Sequence, residues 1–314
     1  MAFVNVISVL LILASLFLMP LAREARAGAG FNGLYQGARA EAMGNAFVGL
    51  ADDEEAIFLN PAGMAGITGS KLTFASEQAE MSTDTVANLA GGSSALTGSF
   101  SASTLNAYMG KNFYLSSEFA PSFVMPHFGI AILVNDQLAL NIQNPALPSL
   151  QVGQQFTNGV QFAYGTSVLP RYVTSSDLRV GVGGNLMWRS GGYQSLSFDQ
   201  ILALASGGAA SLRSLIGGNY GMGYDFDLGV QYIYHFLPGF DVQAGAVSTQ
   251  IGGESFAGGG NIQKGNTALG LTGIYRAPFG RIILSYDYQH ILDDIDPLKR
   301  NHFGLGLEFP MISV

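Results

Sequence analysis

Tyr224-Asp225-Phe226-Asp227-Leu228-Gly229-Val230-Gln231-Tyr232-Ile233-Tyr234-His235-Phe236 is the stretch whose reading decides the fold. From Tyr224 to Phe236 every second residue is aromatic or aliphatic, and between them fall Asp225, Asp227, Gly229, Gln231 and His235 with one apolar intruder, Ile233. A period of two sends these sets to opposite faces of a β-strand, whereas a helix would mix them. The period recurs in residues 179–189, where Val180, Val182, Leu186 and Trp188 oppose Arg179, Asn185 and Arg189. It returns in residues 302–309, where Phe303, Leu305, Leu307 and Phe309 oppose His302, Gly304, Gly306 and Glu308. Weaker copies occupy residues 160–168, 241–247, 267–275 and 282–290, bounded by Gly, Pro, Asn or Asp, so that about twelve strands are predicted.

One alternating strand fits a soluble antiparallel sheet equally well, with its apolar face turned to a core. Composition separates the two cases. Charged residues make up 11% of the chain against 48% hydrophobic, too few for a surface that meets only water. The 42 glycines argue against a helical bundle, because Gly costs about 1 kcal/mol per helical position relative to Ala. After Ala27 no apolar run approaches the roughly 20 residues that a spanning helix needs. The expectation is therefore an all-β, transmembrane antiparallel β-barrel, with Tyr224, Tyr234, Phe236, Tyr275 and Tyr288 in its interfacial girdles. An exported soluble β-sandwich or barrel is the competing reading, disfavoured by the low charge and by the leader.

That leader is an apolar run from Val4 to Met19, followed by Pro20 and the small-x-small site Ala25-Arg26-Ala27. Residues 1–27 read as a secretory signal, although no Lys or Arg precedes the run; an uncleaved anchor is the alternative. Either reading exports the rest, divided into an N-terminal segment at 28–68, which the resemblance given below makes a plug, and a barrel at 69–314. With no cysteine there are no disulfides, thiolate metal sites or lipid-modified N-terminus. The net charge of −8, without a basic patch, disfavours nucleic acid as a partner.

The segment before the strands does not alternate. It runs Gly37-Ala38-Arg39-Ala40, Met43-Gly44-Asn45-Ala46-Phe47-Val48, Ala51-Asp52-Asp53 and Asn60-Pro61-Ala62-Gly63. Asn60-Pro61 is a turn or cap signal, since Pro pushes the preceding residue out of the α region and an Asn side chain bonds the backbone beyond it. Small residues at Ala40, Gly44 and Ala51 suit close packing in a confined space.

This series resembles the N-terminal plug of the FadL family of outer-membrane transporters, and more closely its PorV-like branch. The resemblance implies a barrel of fourteen strands in the bacterial outer membrane, its lumen blocked by a hatch containing Asn60, Pro61 and Ala62, with Gly37, Arg39, Gly44, Asp52 and Asp53 in the same plug. It implies passive uptake of long-chain fatty acids or other hydrophobic compounds, with outer-membrane lipid and a fatty acid-like molecule as partners. In the PorV-like alternative the barrel is a structural or secretion-associated protein that binds exported proteins. Family members usually end in further strands and an aromatic residue, whereas this chain ends Phe309-Pro310-Met311-Ile312-Ser313-Val314, and Pro310 has no N–H for a ladder. The sequence is expected to stop about two strands short.

Residues 198–218 break the strand pattern with Ile201, Leu204, Leu212 and Leu215 at roughly helical spacing around Gly207-Gly208. In the family it resembles, a long extracellular loop of this kind first captures amphipathic substrate; the alternative is a cap packed on the barrel rim. Residues 81–108, rich in Ser, Thr, Ala and Gly, read as a long loop. The run Asp293-Asp294-Ile295-Asp296 lacks the glycine and terminal glutamate of a calcium loop, and His127, His235, His290 and His302 stand singly, so no metal is expected. No nucleophile, phosphate-loop or dinucleotide motif appears, and the chain reads as neither an enzyme nor a cofactor binder.

Overall fold

The computed structural model describes residues 35–74, 76–90, 109–143, 149–169, 175–197, 199–200, 220–251, 265–292 and 297–309. Twelve strands form one antiparallel sheet. They are β1 (Lys71–Thr73), β2 (Glu77–Met81), β3 (Asn112–Phe119), β4 (Ser122–Met125), β5 (Phe128–Gln143), β6 (Ser149–Leu169), β7 (Ser176–Leu196), β8 (Tyr220–Leu237), β9 (Phe240–Ile251), β10 (Thr267–Ala277), β11 (Gly280–Tyr288) and β12 (Asn301–Glu308). From β5 to β12 each strand pairs with the next as a meander. Both β3 and β4 pair with β5, so they share one lane broken at Ala120-Pro121, where proline supplies no ladder donor. In the same way β1 pairs with β4 and β2 with β3.

The prediction of an all-β antiparallel architecture of about twelve strands agrees with this sheet. The region just after the N-terminal segment is divided between two short strands, β1 and β2. The long loop expected over residues 81–108 is corrected in part. Met81 closes β2, and Thr83–Ala90 is a helix whose Asp84 carboxylate accepts from the Asn112 amide at 2.9 Å.

Burial along the strands is reversed relative to a water-soluble sheet. In β8, Tyr224 is 70%, Phe226 57% and Leu228 53% exposed, while Asp225, Asp227 and Gln231 are 2%, 1% and 0% exposed. The reversal continues through β10 and β12, where Leu269, Leu271, Phe303, Leu305 and Leu307 are all exposed. One face of the sheet is a continuous apolar surface, and the other is polar, glycine-rich and covered.

What covers it is the N-terminal segment, comprising helix α1 (Ala38–Ala42), helix α2 (Ala56–Leu59) and a 3-10 helix (Pro61–Gly66). The sheet curls around this segment. Asp52 pairs with Arg281 of β11 at 2.8 Å, and Glu54, two residues on, pairs with Lys71 of β1 at 2.5 Å. Two residues of chain span at most about 7 Å, so strands from opposite ends of the order converge on one short stretch.

The two ends of the sheet differ. At one end β4–β5, β8–β9 and β10–β11 are joined by the tight turns Pro126-His127, Pro238-Gly239 and Pro278-Phe279. At the other, the lengths of chain that separate β2 from β3, β7 from β8, β9 from β10 and β11 from β12 are greater.

Candidate functional site

Each backbone turn of the N-terminal segment meets a matching group on the sheet. Helix α1 begins at Gly37, where an added Cβ would overlap the Glu55 carboxylate. That carboxylate accepts from the Arg39 and Ala40 amides, both at 3.0 Å, and so satisfies helix donors that have no partner within the helix. Tyr35 stacks on Phe58 with ring centroids 3.7 Å apart. The chain then reverses at Gly44 and Asn45, both in the left-handed region with φ of 60° and 61°. Gly44 lies so close to the Phe303 carbonyl of β12 that no side chain fits there.

Beyond the reversal the segment is held by side chains of the inner sheet face. Asp287 of β11 accepts from the amides of Phe47 at 2.7 Å and Val48 at 2.8 Å. Gln231 of β8 donates to the carbonyls of Gly49 and Leu50 at 2.9 and 3.0 Å, and Gln161 of β6 donates to the Ile57 carbonyl at 3.0 Å. Asn60 is fully buried; it donates to the Val48 carbonyl at 2.9 Å and accepts from the Ala62 amide at 3.2 Å. The sequence reading of Asn60-Pro61 as a cap is therefore met in detail, since Asn60 caps the 3-10 helix that Pro61 begins.

That helix rests on a row of glycines. Gly165, Gly181 and Gly229 lie opposite one another in register across β6, β7 and β8. A Cβ at Gly165 would stand 2.6 Å from the Pro61 carbonyl oxygen, and at Gly181 or Gly229 it would overlap Ala62, Pro61 or Asn60. A second set, Gly245 and Gly270, is paired across β9 and β10 and seats Val48 and Gly49 in the same way. The abundant glycine of the inner face is the space that the segment occupies.

At the short-turn end the segment is fixed by charge. Arg39 bonds Asp52 at 2.5 Å, Asp53 at 2.6 Å and Glu308 of β12 at 2.7 Å, and its guanidinium lies 5.2 Å from the Phe47 ring centroid. Arg281 bonds both Asp52 and Glu308. Burial disfavours the Arg39 cation, but Asp52 and then Asp53 outweigh it and raise its pKa. Burial, followed by the neighbouring Asp53, pushes the Glu55 carboxyl up to about 7, against the pull of the two amides it accepts from. Asp53 is also raised by burial, in spite of Arg39.

These shifts give a pH dependence of defined sign. Between about pH 4.5 and 7 the docked segment binds more protons at Glu55 than an undocked one does, so the contribution of Glu55 to its stability falls as pH rises through this window and levels off above it. The chain has no cysteine, so a fluorophore on Ala42→Cys, an exposed position, reports release alone. The denaturant midpoint for release is expected to be higher at pH 5.5 than at pH 8. Glu55→Gln should flatten that difference, and an unchanged slope in Glu55→Gln would show that another group carries it.

All eight plug residues expected from sequence, Gly37, Arg39, Gly44, Asp52, Asp53, Asn60, Pro61 and Ala62, belong to this segment, and Arg39, Asp52 and Asp53 are in direct contact. Sequence reasoning missed Glu55 and the sheet partners Gln161, Gln231, Arg281, Asp287 and Glu308; the signal for the last five was a polar residue on the inner side of an alternating strand. The loop residues Ile201, Leu204, Leu212 and Leu215, the acidic run 293–296 and the leader 1–27 lie outside the described residues. Among the described residues no cluster of three or more His, Asp or Glu is arranged to hold a metal. No protein-family model, curated protein or solved structure matches this chain.

Proposed function

We propose that the chain is a bacterial outer-membrane β-barrel that admits long-chain fatty acids or similar hydrophobic compounds past an N-terminal plug, without an enzymatic step. The reversed burial of β8, with Tyr224, Phe226 and Leu228 outward and Asp225, Asp227 and Gln231 inward, carries this reading. A face of exposed apolar side chains running across so many strands is far larger than the few hundred Å² that soluble monomers tolerate, and hydrocarbon is the solvent that suits it. Strands β9 to β12 are 8 to 12 residues long, near the 9–11 that a tilted membrane strand requires. Open sheet edges do not persist in lipid, so the curled sheet closes into a cylinder around residues 35–67. Short turns on one side and long connections on the other give the orientation, with the turns and the Arg39 cluster toward the periplasm.

In this reading the segment is the plug, and the apolar substrate enters from the long-connection side. Glycine seats and single hydrogen bonds hold the plug by its backbone, so it moves as a unit rather than dissolving residue by residue. Cells producing the protein are expected to take up labelled long-chain fatty acid faster than cells lacking it, and mass spectrometry after gentle extraction should find fatty acid or lipid retained. Uptake no faster than in control cells would overturn the transport reading.

The number of independent anchors on the plug favours a second reading, the PorV-like one, in which the barrel stays shut and serves exported proteins as a membrane-embedded partner. A stable protein partner co-purifying with a lumen free of lipid would decide for it.

A further inference from the structure

Most strand glycines described above exist because a neighbour fills their side-chain space; Gly273 in β10 does not. A Cβ there would meet only the Phe240 ring, at 3.7 and 3.8 Å, an ordinary contact. It lies on the outward face, in the stripe Leu269, Leu271, Gly273 and Tyr275. Its partners in register are Val242 on β9 and Leu284 on β11, while Tyr275 lies opposite both Phe240 and Ile282, and Leu271 opposite Tyr286. The missing side chain leaves a dent of about 210 Å³ floored by Gly273 and ringed by these residues.

We propose that this dent binds one acyl chain of a phospholipid in the leaflet nearer the short turns. The site offers a peptide no free backbone and few polar groups. The backbone of β10 is paired on both sides, the Tyr286 hydroxyl is bonded to Asn301 at 2.8 Å, and the Thr272 and Ser285 hydroxyls bond each other at 2.7 Å on the opposite face. Walls of Phe240, Val242, Leu271, Ile282 and Leu284 suit hydrocarbon and offer no charge to a headgroup. The leaflet follows from position, because Gly273 is nearer the Ala277 end of β10, next to the Pro278-Phe279 turn, than the Thr267 end. The proposal rests on the membrane reading above but adds a fixed lipid position to it.

The test is reconstitution of the full chain in vesicles of phosphatidylethanolamine bearing a diazirine on one acyl chain, followed by photolysis and peptide mapping. Labelling is expected to concentrate on peptides containing Phe240, Val242, Leu271, Tyr275 and Leu284. Gly273→Leu puts its Cβ at ordinary contact distance from Phe240 and its branch into the dent, and should lower labelling there about tenfold, while the rest of the outward face is labelled as before. Even labelling of all outward strands, or labelling at the dent unchanged by Gly273→Leu, would overturn the acyl-chain site and leave the membrane reading intact. No labelling on any strand would overturn both.

Discussion

Gly181→Val is expected to drive the N-terminal segment from its seat. The added Cβ falls on the Pro61 carbonyl carbon and the Ala62 nitrogen, and both are backbone atoms that no rotamer change can move aside. The row offers no lateral escape, since Gly165 and Gly229 flank Gly181 in register and each is already in contact with the same two residues and a neighbour. Overpacking of a filled interior costs about 1–3 kcal/mol and occasionally more, and an overlap with two main-chain atoms belongs at the upper end. A loss of ~3 kcal/mol multiplies the undocked population roughly a hundredfold. The Ala42→Cys probe should report release at a much lower denaturant concentration, and amides 44–66 should lose most of their protection from hydrogen exchange. Fatty-acid uptake should rise in the same variant if the segment is the barrier. Gly273→Leu, with free space around it, is the matched control and should leave release unchanged. An unaltered release midpoint in Gly181→Val would mean that the glycine row is not what seats the segment.

The same glycines show what was readable beforehand. Alternation in residues 224–236 located β8 and separated its faces correctly, because the apolar residues of the alternating set are all exposed and the polar ones face the covered side, and a two-residue period records that contrast. It located β5 poorly. Residues 128–134 read Phe-Gly-Ile-Ala-Ile-Leu-Val, apolar on both sides, because the inward Ala131 and Leu133 pack in one cluster with Ile57 and Met64 of the segment, and the expected polar phase is lost there. Ile274 and Ile283, opposite each other on β10 and β11, are inward and apolar for the same reason, as part of the cluster that includes Met43 and Phe47. Within the segment the cap at Asn60 was legible because its chemistry is local. Its partners on the sheet were not, since Asp287 lies 240 residues from the Phe47 amide it accepts from, and no spacing rule joins such positions. Glu55 was hidden differently, as one acid among Asp52, Asp53 and Glu54; only the fold sends Asp52 and Asp53 to Arg39, Glu54 to Lys71 and Glu55 to the amides of α1.

Two of those acids, with Glu308 of β12, make Arg39 the second position of large expected effect. Its guanidinium gathers Asp52 and Asp53 from the segment and Glu308 from β12, and the planar fork lets one side chain bond all three. Arg39→Met keeps apolar bulk against Phe47 but leaves three carboxylates with Arg281 as the remaining cation of the cluster. The side chains involved are 22–31% exposed, so water softens the loss below the 3–5 kcal/mol of a fully buried pair, to about 2–3 kcal/mol. Arg39→Lys retains the charge without the fork and should lose roughly half as much. Because the pair with Glu308 joins the segment to the last strand, Arg39→Met and Glu308→Gln are expected to be non-additive by about 1–2 kcal/mol in probe release. Strict additivity would show that Glu308 is held by Arg281 alone and that Arg39 secures only the acids of its own segment. Non-additivity would place the tie between segment and sheet where Glu308 of β12 and Arg281 of β11 meet Arg39 and Asp52, so that weakening Arg39 loosens this end before it loosens the glycine seat.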